Sequence, residues 1–189
     1  MSRPPYISLP NKSLDQDSEM ANVFRDFGCE TFHQACDLVW KIPYGRNSKN
    51  YELRLVLSEN VGTCSTKHAL LKSLANEIGI KIDLVLGIYP MNETNTPGVE
   101  SVLVDSNMDY LPEAHCYLSY DGIRIDLTKF RSDSAQEISE FFMERKIETT
   151  DIGETKKSIH KQFLAERYGE NNLERIWNLR EECISALCT

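Results

Sequence analysis

The amino-acid sequence predicts an α+β domain in which a small antiparallel sheet is flanked by helices from both ends of the chain. Three observations carry that expectation. Asp121-Gly122 stands between two alternating runs, residues 114–120 and 123–128. Asp-Gly in that setting marks a hairpin with a two-residue loop, because both loop positions need positive φ. Upstream, residues 64–78 are rich in Ala, Leu and Lys, with Leu71, Leu74, Ala75 and Ile78 on helical spacing and Gly79 placed to stop them. Between these two segments, Ile82, Leu84, Leu86 and Ile88 alternate as a strand does.

The other elements follow in chain order. Residues 1–17 contain Pro and Ser and are expected to be extended. Met20, Val23, Phe24 and Phe27 share one helix face, with Gly28 as a stop. A second helix is expected over residues 31–41, ending before Pro43. Residues 51–57 suit a strand or a helix, and a helix is expected because they feed directly into the turn before Cys64. The connection over residues 90–112 is long for a plain loop, a length that often marks a functional lid, and Val102-Leu103-Val104 within it suggests a further strand. Three helices are expected after the hairpin, over residues 135–146, 156–168 and 172–187. The last carries a mostly apolar stripe of Leu173, Ile176, Trp177, Arg180, Cys183, Ile184 and Leu187. The 189 residues then form one domain, with a core over about 55–130 and helical cover over 131–189. In this arrangement the Cys64 helix packs on the polar face of the sheet and the C-terminal helices cover its apolar face.

Composition limits the function classes. Hydrophobic residues make up 41% and charged residues 26% of the chain, as in ordinary globular proteins. A formal charge of −8 argues against a nucleic-acid partner, since phosphate binding needs a basic face. No apolar run approaches the length that spans a bilayer, so no membrane partner is expected. The opening residues show no apolar signal-peptide region, and the six cysteines lack the spacing of a small disulfide scaffold. Both point to reduced thiols in a cytoplasm.

The hairpin register places chemistry. With a two-residue loop, Tyr120 faces Ile123, Leu118 faces Ile125 and Cys116 faces Leu127, which puts these six side chains on one apolar face. His115, Tyr117, Ser119, Arg124, Asp126 and Thr128 form the other face, where His115 and Asp126 are diagonal neighbours at roughly 7 Å between Cβ atoms. A carboxylate orients an imidazole across such a gap. Cys64, in the first turn of its helix after a Gly-Thr entry, meets the unpaired N–H groups and the positive dipole end that favour a thiolate. The plain alternative is a buried cysteine in an ordinary helix.

Other residues carry chemistry on the same terms. His33 with Cys36, and Cys64 with His68, share helix faces and sketch a zinc site, but no tight Cys-x-x-Cys spacing supports one. His68 is also a possible base for Cys64, without a nearby carboxylate in sequence to orient it. His160, between Lys157 and Lys161, reads as solvent-facing, and the Glu-rich run over 174–182 as a solvated face. Residues 40–47 concentrate hydrogen-bond donors, and an acyl-transfer site needs a second donor where charge develops on a carbonyl oxygen. Trp40 and Asn47 are the candidates there ahead of Gln34, the alternative being a packed helix end with a surface turn.

At these residues the chain resembles the transglutaminase-like superfamily of papain-type thiol enzymes. The likeness is the order Cys, His, Asp: Gly62-Thr63-Cys64 opening a helix, Glu113-Ala114-His115 beginning a strand, and Ile125-Asp126-Leu127-Thr128 on the next. The helix-to-strand passage over residues 79–87 is similar as well. Two departures stand out. Protein-crosslinking members carry Trp directly after the nucleophile, where this chain has Ser65, and many members carry an aromatic residue, often Trp, soon after the His, where this chain reads Cys116-Tyr117. The resemblance implies a transglutaminase-like core and a Cys64, His115, Asp126 triad. It implies thiol-dependent acyl transfer through a Cys64 thioester, ending in amide or peptide hydrolysis, deamidation or transfer to an amine. No cofactor and no metal is implied. The expected partners are a protein or peptide presenting Gln or another amide, or a small acyl donor and an amine. Two other functions stay open: an inactive protein-binding module of the same fold, and an arylamine-acetyltransferase-type enzyme.

Overall fold

The computed structural model describes residues 4–128 and 136–187. At its centre lies an antiparallel sheet of β1 (Asp83–Met91), β2 (Leu111–Tyr120), β3 (Ile123–Ile125) and β4 (Met143–Ile147), in the order β3-β2-β1-β4. Around it, among the described residues, stand seven helices: α1 (Glu19–Asp26), α2 (Phe32–Lys41), α3 (Leu55–Ser58), α4 (Cys64–Glu77), α5 (Glu100–Asp105), α6 (Glu154–Tyr168) and α7 (Leu173–Leu187). None of these helices is long and apolar enough to cross a membrane.

The β2–β3 hairpin has the expected register, with Tyr120 opposite Ile123 and Leu118 opposite Ile125. Its loop residues Asp121 and Gly122 have φ of 49° and 76°, the two left-handed positions that a tight hairpin turn requires. The ladder then stops one pair early. Continued pairing would join Cys116 to Leu127 by backbone hydrogen bonds, but α4 takes up these groups instead. The Cys116 N–H donates to Cys64 Sγ. The Leu127 N–H donates to His68 Nε2 at 2.8 Å, and the Leu127 carbonyl accepts from Lys67 Nζ at 3.4 Å. The hairpin therefore parts where the first two turns of α4 meet it.

α4 is held at both ends. Thr63 and Thr66 form a capping box, which satisfies two backbone donors and contributes about 1 kcal/mol. At the other end Gly79 adopts φ 67°, and the Ile80 N–H returns to the Ala75 carbonyl at 2.8 Å. Along its length Ala69, Leu70, Leu71, Leu74 and Ala75 are buried with Leu84, Leu86, Ile88, Cys116, Leu118, Ile125 and Leu127 of the sheet, and with Phe24, Phe32 and Val39 of α1 and α2.

Here the structure corrects the expected layering. The Cys64 helix packs on the apolar face of the sheet, because its own buried stripe is apolar and needs an apolar partner; only its N-terminal end reaches the His115 side, through the parted hairpin. The opposite face, bearing Tyr89, Met91 and Leu111, is covered by α5, α7 and residues 138–141, which add Leu103, Ile138, Leu179 and Ile184. Phe141 lies so close over Gly87 that a Cβ there would clash with its ring. α6 runs between the two layers, with Leu164 in one core while Ile159 and Phe163 pack against the other.

Three further expectations are corrected. Residues 143–147 form the edge strand β4, pairing Ile88 with Met143 and Leu84 with Ile147, where a helix over 135–146 was predicted. Residues 136–142 have no regular secondary structure, and residue 135 lies outside the described residues. Exposed Glu144, Arg145 and Lys146 give an edge strand the charged surface that blocks further pairing, and the same charges read as helical from sequence. Val102-Leu103-Val104 belong to α5 rather than to a strand. Residues 5–8 make one 3₁₀ turn within the segment expected to be extended.

Candidate functional site

The site assembles where the parted hairpin, the start of α4 and the preceding loop converge. A short parallel bridge sets the loop: the Gly45 N–H donates to the Gly62 carbonyl, and the Gly62 N–H to the Pro43 carbonyl, each at 3.2 Å. The approach is tight, since a Cβ at Gly45 would stand 2.5 Å from Val61 Cγ2. Cys64 follows as the first residue of α4, only 6% exposed, at the floor of a cleft of about 620 Å³. Residues 44–51, Glu113, α6 and α7 form the walls of this cleft.

The structure brings Cys64, His115 and Asp126 together. His115 Nε2–H donates to Asp126 Oδ2 at 2.6 Å, and the ring also hydrogen-bonds Cys64, for which Nδ1 is the nitrogen left. Asp126 Oδ1 accepts the Thr128 N–H at 2.8 Å. Burial alone would raise the Cys64 thiol, but the Lys156 ammonium and the His115 ring outweigh it and bring its pKa down to about 6. Burial likewise opposes charge on His115, yet Asp126 and Cys64 hold its pKa well above the ordinary value. Against the same burial penalty, the charge and hydrogen bond of His115 keep the Asp126 carboxyl well below the usual carboxylate range, helped by the Thr128 N–H. The arrangement is a thiolate–imidazolium pair steadied by a carboxylate.

His68 stands beside this chain but is closed to it. Its Nε2 accepts the Leu127 N–H, so its Nδ1 carries the proton and donates to the Cys64 carbonyl at 2.8 Å. Burial pulls its pKa down to about 4. A ring with both nitrogens held by backbone groups has no free nitrogen with which to take the Cys64 proton. Lys67, fully buried, donates to the Ile42 carbonyl at 2.6 Å, and burial lowers its pKa to about 8.

The expected second donors lie elsewhere. Trp40 packs edge-on against Tyr6, with ring centroids 6.2 Å apart, and is absent from the cleft lining among the described residues. Asn47 does line the cleft, but its Nδ2 donates to the Val61 carbonyl at 2.6 Å and its Oδ1 accepts from Thr66 Oγ1 at 2.9 Å. Its amide ties the loop to α4. Gln34 completes a capping box at the start of α2. The zinc sketch is not assembled: His33 Nε2–H donates to the Leu9 carbonyl, and among the described residues no group of three or more His, Cys, Asp or Glu is gathered to hold a metal.

Two residues of α6 enter the site although the sequence reading passed over one and misplaced the other. Lys156 Nζ lies 2.7 Å from Ser65 Oγ and 3.9 Å from Cys64 Sγ. His160, read as solvent-facing, is 1% exposed; it donates to the Pro112 carbonyl at 2.8 Å and packs edge-on against Trp177. The missed signal is spacing. Lys156, His160 and Leu164 recur every four residues along α6, so one stripe carries all three inward. Beyond them Arg180 grips buried Glu113 with two hydrogen bonds of 2.8 and 2.5 Å, which docks α7 on the cleft wall. No protein-family model matches the chain, and neither a search of curated proteins nor one of solved structures finds a match.

Proposed function

We propose that the protein is a thiol-dependent acyl-transfer enzyme of the transglutaminase-like, papain-type class, working through a thioester on Cys64. The observation that carries this reading is the unbroken hydrogen-bond chain from Cys64 through His115 to Asp126, with its sulfur end at the floor of a cleft. The Cys64 thiolate attacks an amide or ester carbonyl carbon, a C–S bond forms, and the carbonyl π pair moves onto oxygen. The N–H groups of Cys64 and Ser65, which open α4 ahead of the capped Thr66 N–H, are the backbone donors next to that developing charge. When the tetrahedral species collapses, the leaving amine or alcohol departs with the proton from His115. Water or an amine then gives its proton to His115, attacks the thioester, and returns Cys64 as thiolate. Asp126 holds the ring in place throughout and stabilises its charged form.

Hydrolysis, deamidation and transfer to an amine differ only in that last nucleophile. Ser65 in place of an aromatic residue after the nucleophile leaves protein crosslinking without support. The test is to incubate the protein with peptide, glutaminyl-peptide and acyl-coenzyme A donors and to search for an acyl adduct by mass spectrometry. An adduct on Cys64 from one donor class, absent in Cys64→Ala, is expected. Failure of every donor to acylate Cys64 would favour the binding module instead.

A further inference from the structure

We propose that Lys156 is a catalytic residue of this site, its ammonium being the cation that receives the negative charge developing on the carbonyl oxygen as Cys64 is acylated. The inference rests on the acyl-transfer reading and extends it to a residue outside the triad. Position is the first argument. Lys156 lines the cleft, on the side from which an acyl donor reaches Cys64. An oxygen on the carbon bonded to Sγ stands within about 3 Å of the sulfur, and a useful donor lies about 3 Å from that oxygen. A nitrogen 3.9 Å from Sγ is near enough to stand about 3 Å from such an oxygen.

The ammonium is also held in place. Ser65 Oγ accepts from it at 2.7 Å, and the backbone of α6 is fixed one turn later by the bond from His160 to the Pro112 carbonyl. Leu164, one turn further on, is buried in the core. The side chains once expected as the second donor, Trp40 and Asn47, are turned to other tasks.

Charge balance gives the strongest argument. In the free protein two cations, His115 and Lys156, face two anions, Cys64 and Asp126. Once the C–S bond forms, the sulfur is neutral and the charge has moved to oxygen. His115 keeps Asp126, whereas the carboxylate near Lys156, Glu113, is already matched by two hydrogen bonds from Arg180. Lys156 therefore loses its counter-ion at the moment the oxygen gains charge. An interaction that strengthens as the transition state forms accelerates the step.

The experiment separates this role from mere stabilisation of the thiolate. Iodoacetamide alkylates a thiolate without forming an oxyanion, while p-nitrophenyl acetate acylates it through one. Both rates are measured on Cys64 in wild type, Lys156→Gln and Lys156→Arg at about pH 9.5, where an ordinary thiol is ionised. Although burial pulls the Lys156 pKa down, Cys64, Cys116 and Glu113 hold it above the usual lysine value, so the wild-type ammonium is still charged there. In Lys156→Gln, alkylation is expected to match wild type while acylation stays about 10²-fold lower, with partial rescue in Lys156→Arg. Alkylation at the wild-type rate also reports that the variant is folded. Equal loss or equal recovery of both rates in Lys156→Gln would overturn the proposal and leave the triad standing. A wild-type Cys64 that is alkylated readily but not acylated would instead overturn the acyl-transfer reading, and Lys156's role with it.

Discussion

His68 and His115 stand 6.4 Å apart, both buried and both facing Asp126, yet they hold opposite charge states. The His68 ring sits 3.7 Å from Asp126 Oδ1 and stays neutral, because burial disfavours its charged form and the Leu127 N–H occupies the nitrogen that a second proton would need. The His115 ring, 2.6 Å from Asp126 Oδ2, has ionisable groups on both nitrogens and becomes the cation. Proximity to a carboxylate does not by itself decide which histidine is charged. The partner on the remaining nitrogen does. A backbone donor on a ring nitrogen excludes a proton there, whereas a thiol on that nitrogen invites one.

The sharpest way to break the comparison is to remove what distinguishes His115. Cys64→Ala should abolish turnover with the fold intact, since Ala suits a helix's first turn, and His115 should lose much of its raised basicity. An imidazole NMR titration checks the second point; a His115 that stays charged to the same pH without Cys64 would mean that Asp126 alone sets it. Asp126→Asn should come next, lowering the rate by about 10²- to 10⁴-fold with little change in binding, and raising the Cys64 pKa. Steady-state kinetics and the pH dependence of alkylation measure the two effects.

His68 should answer in stability rather than chemistry. His68→Ala leaves the buried Leu127 N–H without a partner and removes a fully buried ring, while the Cys64 carbonyl keeps its intrahelical bond, at a cost of about 2–4 kcal/mol by urea denaturation. The wild type should also show an acid signature. The folded His68 pKa, about 4, lies below the unfolded value of 6.5, so the unfolded chain takes up the proton first. This contribution is complete above pH 6.5 and lost as pH falls toward 4, about 3 kcal/mol in all, and should vanish in the variant. The smallest effect is expected at Gly122→Val. A Cβ there meets nothing within 4 Å, so the cost is the positive φ of 76° alone, about 1–2 kcal/mol. Thermal unfolding measures it, and a fall in activity at a residue outside the cleft lining would tie hairpin geometry to the site.

What sequence revealed of this comparison was its local part. The hairpin, the start of α4 and the inward spacing of its side chains each rest on a few neighbouring residues, and these were legible. Chemistry carried by distant contacts was not. Nothing near His68 in sequence announces that Leu127 will donate to it, because that bond exists only where the hairpin parts. Lys156 sits in a charged stretch whose inward stripe shows only if His160 and Leu164 are read with it. The strand at residues 143–147 reads as helix in sequence because its three exposed charges disguise an edge. The face on which α4 packs depended on which sheet surface could match its apolar stripe, a tertiary choice that alternation alone leaves open.

The most direct test of the thiolate–imidazolium pair is the pH dependence of iodoacetamide alkylation at Cys64, followed by mass spectrometry against the other cysteines. The paired site predicts that Cys64 alone reacts at a nearly constant rate through neutral pH and loses reactivity with an inflection near 6. An inflection at an ordinary thiol value of about 8.5, shared with the other cysteines, would contradict the pairing and the mechanism built on it.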